Sequence, residues 1–292
     1  MTQHAQTLLW VERNTRDLSR AAAFYHDALG FRIEAALPAP WLRAPAFPAT
    51  PTRCAMLALG AQRIVLAEFP HAAAYPADTR CCDRAFQHCA IVVSDMAAAH
   101  RRALQHGATA ITAGGPQRLP PAAGAVTAWK FRDPDGHPLE LLAFPAGGGA
   151  PQWHTANGFT LGIDHSAISV GNVAHSVAFY EKLGLQVGPR SVNHGPGQQR
   201  LDALENVEVD VVALQPAAAT PHVELLGYRQ PHGGAAPPQA FTAIAADRLI
   251  LRVDSIAAAL AALDPAYIVH RSGAGHALLH DPDGHVVVLT ET

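Results

Sequence analysis

The chain of 292 residues carries a formal charge of −3, with 49% hydrophobic and 15% charged residues. This composition supports buried cores and argues against a disordered chain. The sequence has no basic stripe typical of nucleic-acid binding, and no apolar run of the roughly 20 residues that cross a bilayer. We therefore expect neither a nucleic-acid partner nor membrane insertion.

The four cysteines lie in the first half of the chain and lack the paired CxxC spacing of a zinc site. The N-terminal sequence lacks the charged start and long apolar segment of a secretory signal. Both features predict reduced thiols in a cytoplasmic protein.

Strand and helix patterns follow one another in the same order four times along the chain. In the first module, a strand precedes a helix that Thr15 or Asp17 can cap and that Gly30 ends, and a hairpin is predicted around Gly60 and Ala61. The four modules, each a strand, a helix and then two or three strands, span residues 7–69, 85–144, 161–228 and 246–291.

A linker rich in Gly and Pro, residues 147–158, divides the chain into two similar parts. We expect one domain from residues 1–146, which hold the first two modules, and a second domain from residues 159–292.

Two motifs recur in both parts of the chain. The FYxxxLG pattern occurs at 24–30 and 179–184, where the second copy is one residue shorter, and the DPDGH turn occurs at 133–137 and 281–285. Repeated signatures at similar spacing indicate a duplicated chain. Because Pro, Asp and Gly suit tight turns, we expect His137 and His285 to lie in exposed hairpin turns without a functional role.

A single module of this kind would leave one sheet edge and one sheet face uncovered. Two modules side by side would form a half-barrel, with helices outside and a cavity inside. The predicted fold class is therefore α+β, with four βαβββ modules that form two half-barrel sheets.

The βαβββ pattern, FYxxxLG after the first helix and DPDGxxxEL at the last hairpin resemble the vicinal oxygen chelate superfamily. That superfamily includes glyoxalase I, methylmalonyl-CoA epimerase, extradiol dioxygenases and the bleomycin and fosfomycin resistance proteins. The resemblance covers nearly the whole chain. It implies glyoxalase-like sheets, and it identifies the fold better than the reaction.

In this superfamily, metal ligands come from the first and last strands of a module. Module two offers His88 and Glu140 at these positions, and module three offers His165 and Glu224. The outer modules offer neither residue type, since the equivalent positions hold Trp10 and Val65 in module one and Arg248 and Val288 in module four.

Strand alternation supports an inward direction for these four side chains. His88 shares a strand face with Ala90 and Val92, and both glutamates stand between apolar neighbours that point the other way. A carboxylate buried alone is costly, and a divalent cation is a natural partner. Two imidazoles and two carboxylates suit Zn²⁺, Ni²⁺, Co²⁺, Mn²⁺ or Fe²⁺.

The pairing of the modules decides whether these residues meet. If module one pairs with two and module three with four, each cavity holds one His and one Glu. If module two pairs with three, one cavity gathers all four residues. Both pairings occur in the superfamily. We favour the inner pairing, which leaves the outer cavity as a structural one.

The resemblance implies a metal-dependent lyase or isomerase whose small substrate chelates the metal through adjacent oxygens. Glu224 is the first candidate for the catalytic base and Glu140 the second. Arg200, in the segment 194–200 that reads as a loop over the cavity, and His222, on the face of Glu224, are candidate substrate contacts.

Two other functions stay open. An extradiol ring-cleaving dioxygenase would need only two histidines and one glutamate. A metal-free binding or resistance protein would hold a small apolar compound against Trp10, Trp41 and Trp129. The expected partner is a small-molecule substrate, and a homodimer is compatible with the sequence.

Overall fold

The structure, a computed structural model, describes residues 5–34, 48–218, 220–235, 240–272 and 275–291. It contains five helices and seventeen strands within those ranges. No described helix is both long and apolar enough to cross a membrane.

The four modules follow the predicted order. Module one contains β1 (Ala5–Thr15), α1 (Leu18–Leu29), β2 (Arg32–Glu34), β3 (Cys54–Leu59) and β4 (Gln62–Glu68). Module two contains β5 (Gln87–Val93), α2 (Met96–Gln105), β6 (Thr109–Ala110), β7 (Gln117–Arg118), β8 (Thr127–Arg132) and β9 (Pro138–Ala143). Module three contains β10 (Thr160–Ser169), α3 (Val173–Leu183), β11 (Gln186–His194), α4 (Pro196–Asp202), β12 (Glu208–Gln215) and β13 (His222–Gln230). Module four contains β14 (Arg248–Val253), α5 (Ile256–Ala261), β15 (Ile268–Ser272), β16 (His276–His280) and β17 (Val286–Thr290).

Two large sheets each combine modules from both parts of the chain. Modules one and four form the outer-module sheet, in the order β15-β16-β17-β14-β1-β4-β3-β2. Modules two and three form the inner-module sheet, in the order β11-β12-β13-β10-β5-β9-β8-β6, with β7 beside β8. The antiparallel pairs β1–β14 and β5–β10 join the modules. The inner pairing favoured from the sequence is confirmed, and the segments 1–146 and 159–292 each contribute to both sheets.

One core lies between the two sheets, on their helix-bearing faces. It joins Cys89 and Ile91 of β5 with Leu8 and Val11 of β1 and with the buried faces of the helices. Helices α1 and α2, from modules in different sheets, contact each other in this layer. The opposite face of the inner-module sheet is therefore left for a cavity, as the alternation in β5 predicts.

The first helix begins and ends where the sequence predicts. The side chain of Asp17 accepts a hydrogen bond from the backbone N–H of Arg20, which satisfies one of the unpaired donors at the helix start. Gly30 ends the helix with φ of +75°, a left-handed conformation that favours glycine. The hairpin between β3 and β4 turns at residues 60 and 61, also as predicted.

The two recurring motifs touch each other in both copies. Asp133 of the first DPDGH turn accepts a hydrogen bond from the hydroxyl of Tyr25 in α1 at 3.0 Å. Asp281 of the second turn accepts one from the hydroxyl of Tyr180 in α3 at 3.1 Å. The tyrosine of FYxxxLG and the first aspartate of DPDGH thus form one repeated contact, which links modules that lie in different sheets.

The histidines of these turns are buried, so their predicted exposure is wrong. His137 is 1% exposed and His285 is 8% exposed. The Nε2 atom of His137 lies 2.8 Å from the carbonyl oxygen of Asn14, and that of His285 lies 3.0 Å from the carbonyl oxygen of Ser169. Each histidine reaches the end of a first strand in the opposite sheet, a tertiary contact that the local turn pattern does not reveal.

Candidate functional site

The four predicted ligand residues meet on the cavity face of the inner-module sheet. Nε2 of His88 lies 3.1 Å from Oε2 of Glu140. Nε2 of His165 lies 3.7 Å from the same Glu140 oxygen and 3.5 Å from Oε2 of Glu224. One ligand atom from each of His88, Glu140 and His165 lies within 4.8 Å of the others. The two central modules therefore supply one cluster of two imidazoles and two carboxylates.

A bulge in β10 adds a fifth side chain to this cluster. The register of β10 against β5 steps from Ile163 to His165, so Asp164 is the extra residue. Oδ2 of Asp164 lies 3.0 Å from Nδ1 of His165, and its other oxygen accepts a hydrogen bond from the indole N–H of Trp153 at 3.1 Å. Asp164 thus fixes the His165 ring with Nε2 toward the glutamates, as a carboxylate behind a ligand histidine does.

Strand alternation alone would have turned Asp164 away from His165. Asp164 was not predicted from the sequence for this reason, because a bulge cannot be read from a period-two pattern. The equivalent bulge recurs in β1, where the register against β14 steps from Leu8 to Trp10. It is therefore a feature of the module and not of the ligand cluster.

Opposite charges hold the cluster together against the cost of burial. Burial alone would raise the pKa of Glu224, but His165 and His222 bring the pKa to about 2. Burial alone would lower the pKa of His165, but Glu224 and Asp164 raise it to about 9. Burial likewise opposes ionisation of Glu140, whose pKa is nonetheless lowered by His88. Both glutamates are therefore ionised at neutral pH.

The donor atoms fit a divalent metal ion. Nε2 of His165 is buried and makes no hydrogen bond with any described residue, yet it lies between the carboxylate oxygens of Glu140 and Glu224. Ligand atoms held at about 2.1 Å from one ion lie roughly 3 Å apart when adjacent, which is close to the observed separations. His88, Glu140, His165 and Glu224 would hold the ion.

A cavity of about 440 Å³ opens over the cluster. This volume lies within the range of pockets that bind small molecules. Its walls are mainly apolar beyond the cluster and include Leu119, Val126, Ala128, Leu142, Leu201 and Leu226. A small molecule with a polar end at the cluster and an apolar body would match this lining.

A buried polar network closes one wall of the cavity. Nζ of Lys130 in β8 donates to Oδ1 of Asp202 in α4 at 2.7 Å, and Nε2 of Gln198 donates to Oδ2 of Asp202 at 2.8 Å. Burial alone would lower the pKa of Lys130, but Asp202 raises it, so the ammonium group of Lys130 stays charged. None of the three residues was predicted from the sequence. Gln198 and Asp202 were missed because the segment 194–200 reads as a loop, whereas Pro196–Asp202 forms α4.

The two candidate substrate contacts lie in different places. Nε of Arg200 donates to Oε1 of Gln117 at 2.6 Å, and Arg200 is not among the described residues that line the cavity. His222 does line the cavity. Its Nε2 lies 3.8 Å from Oε1 of Glu224, and its register partner on β10 is His165.

The equivalent face of the outer-module sheet is a packed apolar cluster. Trp10, Val65 and Val288 pack there with Met56, Ile250 and Leu278. Nη2 of Arg248, at the remaining ligand position, lies 2.6 Å from Oε1 of Glu12, and both side chains are fully buried. This face is structural, as the sequence predicts.

Two of the three tryptophans proposed for a metal-free cavity, Trp10 and Trp129, do not line one cavity. Trp129 is fully buried in the core between the sheets, where it stacks on Phe131 with ring centroids 4.5 Å apart. Trp10 lies on the other sheet, and Trp41 lies outside the described residues.

Fold and site together define a duplicated βαβββ protein with one candidate metal centre between its two central modules. A family model for the Glyoxalase/Bleomycin resistance protein/Dioxygenase superfamily matches residues 7–141 and 162–289. The chain therefore belongs to this superfamily, which confirms the resemblance seen in the sequence.

Solved structures with the same fold include a glyoxalase I and a protein provisionally assigned as a dioxygenase. Glyoxalase I from Zea mays is 17% identical with a TM-score of 0.63, and it covers 99% of this chain and 93% of its own. A mutant of that enzyme is 18% identical with a TM-score of 0.65, and the match covers 99% of this chain and 93% of the mutant chain. The protein provisionally assigned as a dioxygenase, from Bacillus subtilis, is 13% identical with a TM-score of 0.56. The match covers 99% of this chain and 86% of that protein. At these identities the likeness establishes the fold. No curated protein sequence matches the chain significantly.

Proposed function

We propose that this protein is a metal-dependent lyase or isomerase of the glyoxalase-like type. Its substrate is a small molecule that chelates the metal through adjacent oxygens. The observation that carries the proposal is the position of Nε2 of His165, which is buried between the carboxylates of Glu140 and Glu224 without a hydrogen bond to any described residue. Three buried ligand atoms within 4.8 Å of one another support the same centre.

His88, Glu140, His165 and Glu224 hold the metal in this proposal. When bound, a divalent ion polarises the adjacent oxygens of the substrate as a Lewis acid. Asp164 orients His165, and the apolar walls exclude water from the reacting end of the substrate.

Glu224 is the proposed catalytic base. Its side chain is 20% exposed and its oxygens lie 3.5 Å from His165 and 3.8 Å from His222. Glu140 is more tightly held, since it is 8% exposed and forms a 3.1 Å hydrogen bond with His88. The less constrained carboxylate can move toward a substrate carbon, and His222 stands where it can take the proton onward.

The state of the cysteines bears on where in the cell the protein is expected. Cys81, Cys82 and Cys89 are buried thiols, which supports the cytoplasmic location expected from the sequence.

Metal content tests the proposal directly. Wild type and His165→Ala would be incubated with Zn²⁺ or Mn²⁺, freed of excess metal and analysed for bound metal. His26→Ala is the matched control, because the side chain of His26 is 61% exposed and lies outside the cluster. We expect one ion per chain in wild type and control, and a loss of most bound metal in His165→Ala. Wild type without metal would contradict the proposal and favour a metal-free binding protein.

One observation supports a second candidate function, that of an extradiol dioxygenase. His88, Glu140 and His165 alone form a set of two histidines and one carboxylate, the arrangement that non-haem Fe²⁺ oxygenases use. An extradiol dioxygenase would consume oxygen when the Fe²⁺-loaded protein meets a catechol. Oxygen uptake with catechol would replace the lyase proposal, and its absence would leave the lyase proposal in place.

A further inference from the structure

Two polar side chains stand together on the cavity face of β11, an edge strand of the inner-module sheet. Ser191 and Asn193 both line the cavity, and their register partners on β12, Val211 and Val209, line it too. Oγ of Ser191 lies 2.9 Å from Oδ1 of Asn193. Because residues two apart on a strand share a face, this hydrogen bond and the register agree on the direction of both side chains.

The Ser191–Asn193 pair is accessible and has hydrogen-bonding capacity left over. Both residues are half-buried. The hydroxyl of Ser191 donates to the amide oxygen of Asn193, and within the described residues neither side chain makes a further hydrogen bond. The NH₂ group of Asn193 is thus left to donate and Oγ of Ser191 to accept. With the amide flipped, the pair would still offer a donor and an acceptor.

Apolar side chains separate this pair from the His/Glu cluster. Leu226 on β13 is the register partner of Val211, which in turn is the partner of Ser191, and all three line the cavity. Glu224 stands two residues before Leu226 on β13. Two strand spacings sideways and two residues along the strand place Ser191 roughly 12 Å from Glu224. A ligand bound at the cluster therefore reaches the pair only if it is elongated, with an apolar middle.

The charges around the cavity favour an uncharged group at the pair. Outside the His/Glu cluster and His222, the cations among the described cavity-lining residues are Lys130 and Arg190. Lys130 is paired with Asp202. Arg190 has Val212 as its register partner, so its side chain lies on the opposite face of β11 from the pair. A carboxylate at the pair would therefore have no cation to neutralise it.

We propose that the Ser191–Asn193 pair binds an uncharged hydroxyl or amide group at the far end of the substrate. This inference rests on the proposed function, in which the adjacent oxygens of the substrate lie at the His/Glu cluster. The substrate is then an elongated molecule with a chelating end, an apolar middle and a neutral polar end. A hydroxyl or an amide suits the pair because each can both donate and accept a hydrogen bond.

A series of synthetic chelators tests the inference. Alkyl hydroxamic acids present two adjacent oxygens to a metal, and the far end of their chain can be a hydroxyl, a methyl or a carboxylate group. The hydroxyl donates and accepts, the carboxylate only accepts and is charged, and the methyl does neither. Calorimetry on the Zn²⁺-loaded full chain would measure the binding of each compound over a range of chain lengths.

At the length that spans the cavity, we expect the affinity of the hydroxyl compound relative to its methyl partner to rise about tenfold above the ratio at shorter lengths. Ser191→Ala combined with Asn193→Leu should abolish this rise while the methyl compounds still bind. Val192→Ala combined with His194→Leu is the matched control and should keep the rise. It changes the neighbouring positions of β11, which lie outside the cavity lining.

The two proposals fail in different ways. A ratio of hydroxyl to methyl affinity that does not change with length in the wild-type protein would overturn the role of the pair and leave the metal centre intact. A rise that survives in the variant of Ser191 and Asn193, or that the carboxylate compounds show instead, would do the same. Failure of every hydroxamic acid to bind would overturn the proposed function and this inference with it.

Discussion

Glu140 and Glu224 occupy equivalent positions in two modules, but their surroundings differ. Glu140 is paired with His88 and has Lys130 as its register partner on β8. Glu224 faces the cavity with longer contacts to two imidazoles. A duplicated site has thus acquired one firmly held carboxylate and one freer carboxylate, which is the division expected of a ligand and a base.

Replacing each glutamate by glutamine separates these roles. Gln keeps an oxygen ligand but cannot take a proton, so Glu224→Gln should retain metal and slow proton transfer at least about 100-fold. Glu140→Gln should lose both the bound metal and proton transfer, because it removes the negative charge between His88 and His165. The measurement is metal content together with deuterium uptake from D₂O into hydroxyacetone, followed by NMR.

The exposed Glu181→Gln serves as the control for this pair and should match wild type. If Glu224→Gln exchanged protons at the wild-type rate, Glu224 would not be the base.

Glu68 gives a residue-scale prediction about stability and pH. Its carboxylate accepts the backbone N–H of Leu18, at the start of α1, at 2.9 Å and the hydroxyl of Thr52 at 2.7 Å, and it pairs with Arg53. The hydrogen bond from Arg53 is the main cause that lowers the pKa of Glu68 from 4.5 to about 2. We expect Glu68→Gln to lower the free energy of unfolding by about 1–2 kcal/mol at pH 7.

The sign of the pH effect follows from the lowered pKa. The folded state prefers the ionised carboxylate, so this stabilisation is complete above pH 4.5 and is lost as the pH falls toward 2. The difference between wild type and Glu68→Gln, measured by urea unfolding, should therefore shrink over that interval. A difference that stays constant from pH 7 to pH 2 would show that the charge of Glu68 is not what stabilises the fold.

At the scale of elements, α4 is joined to β8 by the buried pair of Lys130 and Asp202. The side chains are 4% and 0% exposed, and the two elements come from different modules. Removal of one member leaves the other charge buried and unpaired, which is far more costly than removal of both.

A double mutant should therefore be more stable than either single mutant. Lys130→Met should lower the free energy of unfolding by about 3–5 kcal/mol, and Lys130→Met with Asp202→Leu should recover most of that loss. The measurement is urea unfolding of the three variants and wild type. Additive losses in the double mutant would mean that the two side chains do not depend on each other.

The sequence predicts elements well where a local pattern decides them. The duplicated motifs define four modules, and the alternation in β5, β9 and β13 directs His88, Glu140 and Glu224 to one face. Three features depend on non-local contacts and were missed. They are the bulge that adds Asp164, the helix formed by the Gly- and Pro-rich segment before Asp202, and the burial of His137 against the opposite sheet.

At the scale of the whole molecule, chain order and sheet order differ. Each half of the sequence places one module in each sheet, and the Tyr–Asp contacts link the two modules of a half across the core. Each sheet is completed only by the other half, through β1–β14 and β5–β10. The candidate metal centre needs both halves for the same reason, since His88 and Glu140 come from one and His165 and Glu224 from the other.

This arrangement predicts that the two halves cannot fold independently as monomers. Expressed alone, residues 1–150 would leave the edges of β1 and β5 unpaired, and exposed strand edges drive aggregation or self-association. Cleavage of the folded full chain at a protease site placed within residues 147–158 should instead leave the halves together with one bound metal ion. Size-exclusion chromatography and metal analysis would check both forms. A monomeric, cooperatively folded 1–150 fragment would contradict the prediction, because it would mean that the module pairs within a half are sufficient for stability.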